Sequence, residues 1–459
     1  MDYKTLPKPP SIIKTIGPTF ILLGLALGSG ELILWPYIAA NYGLGIIWGA
    51  VLGISFQYIL NTEVMRYALL KGESVFVGFW KLNKLIPIWF FIATFIPWAI
   101  PGFAATASKI LGYVFNFTNT TPVSIIFLII VGIILSSGKY LYNTVEKMQK
   151  TMLLLGIPFI LGLSLYLTSK ESYGALINGL IGKGEGYWFL PSGISLMAFM
   201  GAFAYSGAGG TLNLAQSYYV KDKGLGMGKY ATKIASLFNK EQKKAFSLEG
   251  VNFKDTLDNY KNWKTLWFNS FLEHFIVFWG LGIFTIFLLT LLSYSLLYGQ
   301  NVSEGLSFLF AQGQAIGNKT INFMGSLFLL ASFVMLSTTQ IGVLEGSSRI
   351  ISENFALIFY KKGKKVHLGN YFYVALWGQI ILGIIILLLG FKEPRELLTI
   401  QAVLNAFSML TAFPLIYIIN KKYLYKKYRA GAFRKFMLLF ATVFFSVFLA
   451  IIVYESLLK

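Results

Sequence analysis

One length recurs along this chain and constrains it more than anything else. Apolar runs of helix-spanning size lie at about 17–41, 44–66, 86–113, 122–138, 143–168, 190–219, 264–298, 320–355, 370–391, 396–420 and 435–457. Inside a bilayer every backbone N–H and C=O must be satisfied by the chain itself, so only helices and closed barrels cross it. Runs of roughly 20 residues suit helices and are too long for barrel strands. The expected fold is an all-α integral membrane protein with eleven transmembrane helices, and the bilayer is its first partner. Composition agrees: 13% of residues are charged, against about 25% in a soluble domain. The eighth run outlasts a bilayer and should continue into the cytoplasm.

The net charge of +20 points to basic cytoplasmic loops rather than to nucleic acid, because the charges alternate with the spans. Lys4, Lys8 and Lys14 precede the first span. Lys71, Lys81 and Lys84 follow the second, and a lysine-rich stretch follows the sixth. Lys361, Lys362, Lys364, Lys365 and His367 follow the eighth, and "KKYLYKKYRAGAFRK" follows the tenth. The loops after the first and third spans, "NYGLG" and "VFNFTNTTPV", carry no charge. This places the N-terminus in the cytoplasm and the C-terminus outside, with the plasma membrane as location. There is no cysteine, which removes disulfides and thiolate metal sites. No P-loop, zinc-protease, EF-hand or nucleophile-elbow motif occurs, and an enzyme is not expected. Gly-rich "GLGMG" at 224–228 reads as a turn.

Two spans are interrupted by glycine. "GLALGSGELILWP" breaks the first at Gly28, Ser29 and Gly30, with Glu31 directly after; "AYSGAGGTLNLAQS" breaks the sixth around Tyr205, Ser206, Gly207, Ala208, Gly209 and Gly210. The breaks lie about 178 residues apart, one opening each group of five spans. Five is odd, so the two groups must have opposite topology. Corresponding interrupted helices in inverted halves mark a midplane binding site in secondary transporters. Glycine tolerates unwinding and lets a ligand approach the backbone. A half-helix N-terminus offers bare amides and a positive dipole end. The expected segments are a cytoplasmic tail over 1–16, a first repeat over 17–168, a second repeat over 190–420 with a cytoplasmic loop at about 220–263, and a final helix over 435–457.

Polar residues within the spans are costly and are candidates for function. Glu31 could ligate a hard divalent cation, carry a proton, pair with a substrate amine, or cap the second half-helix. Thr211, Asn213, Gln216 and Ser217 follow the second break; Asn213 could join Glu31 as a metal ligand, bind a hydroxyl-bearing solute, or bond between helices. Ser337, Thr338, Thr339 and Gln340 lie in mid-span; Ser337 or Thr338 is the candidate ligand for a coupling Na⁺. Gln401, Asn405 and Ser408 form one helical stripe expected to face the central pathway. Glu273 and His274, placed near the cytoplasmic start of the seventh span, are candidates for a proton path. Glu63 with Arg66 reads as a gate or structural pair, and Glu345 with Arg349, an i,i+4 pair, as structural. Pro97 and Pro101 should kink the third span, and Met197 and Met200 read as packing residues.

At these residues the sequence resembles the Nramp family of divalent-metal transporters, within the LeuT-fold superfamily. The resemblance is carried in order by "GPTFILLGLALGSGELILWPYIAANYGLGIIWGAVLG", "SSGKYLYNTVEKMQKTMLLLG", "LASFVMLSTTQIGVLEGSSRIISENF" and "RELLTIQAVLNAFSMLTAFPLI". It implies a five-plus-five inverted repeat with broken helices 1 and 6, and a divalent metal such as Mg²⁺ or Mn²⁺ as substrate. The family's Asp-Pro-Gly-Asn motif is replaced by Gly28, Ser29, Gly30 and Glu31, and its Met-Pro-His by residues around Tyr205, Ser206 and Gly207. The soft thioether ligand is therefore missing. "GSGELILWP" also resembles the first helix of amino-acid transporters of the same superfamily, where bare amides hold a substrate carboxylate. Two substrates stay open: a hard divalent cation, or a small carboxylate-bearing solute held by the Gly amides. No cofactor is expected beyond a coupling ion, H⁺ or Na⁺, and the protein is expected to be monomeric.

Overall fold

The computed structural model describes residues 3–137, 141–232, 247–300, 302, 306–391 and 394–458. The middle of the expected 220–263 loop, 233–246, lies outside the described residues, as does the side chain of Ser29. Among the described residues nine helices are long and apolar enough to cross a membrane. These are α1 (Pro18–Tyr42), α2 (Leu44–Lys71), α3 (Ile86–Val114), α5 (Leu141–Leu167), α7 (Leu257–Leu297), α8 (Asn322–Ile358), α9 (Leu368–Leu388), α10 (Pro394–Tyr423) and α11 (Ala432–Leu458). Between them lie the shorter apolar α4 (Thr121–Ser136) and an interrupted pair, α6a (Leu196–Ala204) and α6b (Gln216–Lys223).

Burial separates an inner from an outer set. The most apolar windows of α1 and α2 are 88% and 78% buried, those of α5 and α11 only 28%. The outer helices present Leu154, Leu155, Val443 and Val447 to the surroundings, as lipid contact demands. α8 runs through the bundle, packing on α9, α3 and α1. Its 37 residues exceed what a bilayer needs, as its sequence suggests.

Four helices depart from regular geometry: α7 widens into a π-helix over Phe275–Gly280, and α3, α1 and α6 each depart for a chemical reason. α3 passes Pro97 and breaks at Ile100–Pro101, so only one of its two prolines interrupts it. The freed carbonyls of Pro97 and Ile100 accept from Gln401 Nε2 at 2.9 and 2.8 Å, and the amide of Ala104 donates to Gln340 Oε1 at 3.1 Å. α1 does not unwind at Gly28–Gly30. Leu27–Leu34 widens into a π-helix that keeps backbone bonds, with the Trp35 amide reaching Gly30 O five residues back. α6 does open: Tyr205–Gly209 leaves helical geometry, Gly209 and Gly210 take φ of 76° and 51°, and a 3₁₀ turn over Gly210–Ala215 leads into α6b.

The N-terminal tail is docked. Tyr3–Lys4 pairs in parallel with Asn252–Phe253, and the first turns of α7 hold the tail through Asn259 to Leu6 N, Asn262 to Leu6 O and Asn269 to Pro10 O.

A candidate binding site at the crossing of α1 and α6

The two glycine segments meet. A Cβ on Gly30 would collide with the carbonyl oxygen of Tyr205, so only glycine lets α1 cross α6 this closely. Gly28 does the same toward α8, where a Cβ would run into the side chain of Thr339. The glycines of α1 thus serve close approach, and the amides there stay engaged in the π-helix.

The opening in α6 is held from α2. Gln57, fully buried, donates to Ala204 O at 3.1 Å, while its Oε1 accepts from the Gly209 amide and from Asn213 Nδ2, both at 3.1 Å. One side chain therefore satisfies both rims of the interruption. The amides of Gly207 and Ala208, between those rims, are buried, and neither has a hydrogen-bond partner among the described residues. Ser206 is fixed by Trp35 Nε1 at 2.9 Å and donates to Ala202 O.

Around the opening stand groups from α3 and α10. Tyr205 accepts from Asn405 Nδ2 at 3.0 Å and lies against Trp98. Thr211 accepts from Thr94 and from Trp98 Nε1 at 3.1 and 3.3 Å. Buried oxygens remain without partners: Asn213 Oδ1, Asn405 Oδ1 and Gln401 Oε1. The site thus offers free backbone amide donors, those of Gly207 and Ala208 among them, and several free amide-oxygen acceptors, an arrangement suited to a small solute carrying both charges or both bond types.

Several expected residues fall elsewhere. Glu31 is fully buried but turns to α7: Oε2 is bonded by Thr285, and Oε1, without a partner, lies 3.7 Å from where a Cβ of Gly282 would be. Its hydrogen bonds do not include Asn213, which faces Gln57 and Gly210. Among the described residues no three of His, Cys, Asp or Glu gather as a metal site. On α8, Thr339 meets α1, donating to Gly24 O at 3.0 Å, whereas Thr338 bonds back to its own helix at Val334 and Met335. Ser337 has no partner and is only partly buried. The helical period moves the contact by one to two residues from the expected Ser337 or Thr338. Gln401 braces the α3 break, and Asn405 reaches Tyr205. Glu273 and His274 are buried, and both reach one hydroxyl, that of Thr19. Arg349 joins Glu345 to Asp222 of α6b, and Arg66 pairs with Glu63 beside Asn420 and Arg434.

Sequence reasoning passed over Gln57, Thr285, Thr19, Thr94 and Trp98. Gln57 had a signal: an amide side chain alone in "GISFQYIL" must find a partner within the bundle. The three threonines had none, since a hydroxyl can bond back to its own helix.

No protein-family model matches the sequence, and no curated protein matches it. Solved structures do. The chain resembles a mutant form of the Eremococcus coleocola manganese transporter over 97% of this chain and 88% of that one, with 13% identity and a TM-score of 0.67. A second mutant form of that transporter aligns over 98% and 88%, with 13% identity and a TM-score of 0.66. These neighbours are transporters, not enzymes. The chain is a multi-pass, predominantly helical protein that shares the fold of that transporter. At this identity the likeness establishes that fold and nothing finer.

Proposed function

We propose that this protein is a secondary-active transporter of a small carboxylate-bearing solute, such as an amino acid, bound where α1 crosses α6. The observation that carries the reading is the pair of unpartnered buried amides of Gly207 and Ala208 in the α6 opening. Backbone amides freed at a helix break bind carboxylates, and the free oxygens of Asn213 and Asn405 suit an ammonium or hydroxyl on the same solute. This reading counts the nine long helices, α4 and the interrupted α6 as eleven spans and arranges them as two inverted groups of five plus a final helix. The basic loops orient the N-terminus to the cytoplasm and the C-terminus outside, in the plasma membrane. Alternating access then follows from rocking of one bundle on the other about the α1–α6 crossing.

A divalent cation is the second reading. It is favoured by the free oxygens Glu31 Oε1 and Asn213 Oδ1 and opposed by the free N–H groups, which repel a cation. Calorimetry on the purified full chain separates the two. Heat with alanine or another small amino acid, lost on Asn405→Leu, supports the carboxylate. Heat with Mn²⁺ or Mg²⁺, lost on Glu31→Gln and with no response to amino acids, replaces it with the cation.

A further inference from the structure

The seam between α1 and α7 carries a second polar unit, away from the α6 opening. Thr19 Oγ1 donates to Glu273 Oε2 at 2.5 Å and lies 2.9 Å from His274 Nδ1. All three side chains are buried, Thr19 and His274 completely. The imidazole is clamped between Tyr58 and Phe278, stacked at 5.6 and 5.0 Å, so its plane is fixed. The outer atoms of the unit, Glu273 Oε1 and His274 Nε2, are buried and have no hydrogen-bond partner. Leaving two ionisable groups buried and half-satisfied in a membrane helix is costly, and such groups are retained for function.

We propose that Glu273, Thr19 and His274 form the binding site of the coupling proton, with the Thr19 hydroxyl as the bridge between its two ends. The inference rests on the transporter reading above but not on its substrate. A hydroxyl holds one proton and can donate to one neighbour while accepting from the other. With Glu273 ionised, Thr19 donates to the carboxylate and accepts from His274 Nδ1–H. A proton arriving at Nε2 makes an imidazolium. The Nδ1–H bond then breaks as its proton passes to Thr19 Oγ1. The former Thr19 O–H breaks as its proton passes to Glu273 Oε2. Imidazolium and carboxylate become neutral imidazole and carboxylic acid, and the hydroxyl is regenerated. The two unpartnered atoms are thus the two ends through which the unit exchanges with its surroundings.

The groups that face this unit come from four helices and from the residue before α1. That residue, Gly17, turns its amide to Glu273. From α5 come Tyr142, Glu146 and Lys150, and from α6b comes Lys223; Glu146 Oε1 pairs with Lys150 at 2.5 Å and Lys223 at 3.0 Å. Arg434 of α11 and Tyr58 of α2 face His274. The Glu146 cluster, its two lysine side chains 33% and 25% exposed, lies on the Glu273 side of the seam and is the nearest part of it to the surroundings. On the other side the Phe278 ring, stacked on His274, also lies against Gly207 of the α6 opening, where a Cβ would stand 2.8 Å from it, so one apolar ring separates the proton unit from that opening.

The test uses the full chain in liposomes, titrated from about pH 5 to about pH 9, the range in which histidines and membrane-buried carboxyls change charge. Infrared difference spectra should show a protonated-carboxyl band that Glu273→Gln abolishes. Thr19→Val should shift its midpoint by about one pH unit or more, and Thr19→Ser should restore it. Thermal melting confirms that each variant is folded, and His274→Gln serves as a second variant. A spectrum unchanged by Glu273→Gln, or a midpoint indifferent to Thr19→Val, overturns the assignment. Alanine uptake with an internal pH dye gives the functional arm: wild type should acidify the lumen with uptake, and Thr19→Val should cut proton movement by about tenfold relative to solute. Uptake by the wild type without proton movement overturns the proton site and leaves the carboxylate reading standing. If alanine does not move at all, that reading fails and the infrared titration decides the proton site alone.

Discussion

α1 and α6 carry nearly the same signature, glycines and a serine inside an apolar run, yet they solve the problem differently. α1 keeps its backbone bonds by widening eight residues into a π-helix and uses its glycines to approach Tyr205 and Thr339. α6 opens, and its rims are tied by one glutamine from α2. The difference follows from the neighbours. α1 is packed by α5, α7 and α8, and among the described residues the polar side chains against it, Thr339 at the Gly24 carbonyl included, accept no bond from its amides. α6 has Gln57 on one side and the Asn405–Tyr205 pair on the other. A helix opens where side chains stand ready to satisfy it and otherwise only changes pitch.

The sharpest way to break this contrast is Gly30→Ala. The new methyl meets a backbone oxygen, which cannot swing away, so the cost should be at least about 3 kcal/mol. Most protein should fail to appear as a monodisperse peak in size-exclusion chromatography. Gly378→Ala on α9, where a Cβ meets nothing within 4 Å, is the control and should be neutral or slightly stabilising. Next in size is Gln57→Leu, which strips the bonds from the Gly209 amide and the Ala204 carbonyl. Two buried groups left unpaired should cost about 2–3 kcal/mol in thermal melting, and solute binding at the opening should fall with it. Thr285→Val removes the partner of Glu31 while leaving α6 intact. A loss of about 1–2 kcal/mol with unchanged alanine heat would show that Glu31 serves the α1–α7 seam; loss of that heat would return Glu31 to the binding site.

The smallest effect belongs outside the membrane. Asp255 takes Lys427 Nζ at 2.6 Å and the Tyr428 hydroxyl at 2.9 Å, and these bonds hold its carboxyl below the usual range. A depressed folded value means the stabilisation is present above the ordinary Asp value of about 3.9 and is lost as pH falls through the folded one. Both side chains are more than a third exposed, so screening should leave at most about 0.5 kcal/mol for Asp255→Asn near neutral pH. That difference should vanish in strongly acidic buffer.

Much of the molecule could be read from its residues. Span positions follow from hydrophobic length, and the long α8 and the glycine segments sit where the sequence puts them. The Gln401–Asn405–Ser408 stripe is fully buried, as its spacing suggests. The contacts of these residues could not be read. Gln401 braces the kink in α3, a partner about 300 positions away in sequence. Glu273 and His274 are adjacent on α7 and should point to different sides, yet a hydroxyl on α1 lies within reach of both. The contact from α8 to α1 is made by Thr339, because helix rotation decides which hydroxyl faces a neighbour.

By itself the sequence determined that this chain crosses a membrane many times and that two of its spans carry glycine segments. Both follow from solvation, because the bilayer penalises every unpaired polar group and so dictates helix, length and the rarity of breaks. Only the tertiary structure decided which segment opens, which amides stay free, and where Glu31 turns. Those outcomes depend on side chains brought in from distant helices, Gln57, Thr285 and Thr19 among them. Their bonding partners are chosen by packing angle and rotation, which no local pattern records.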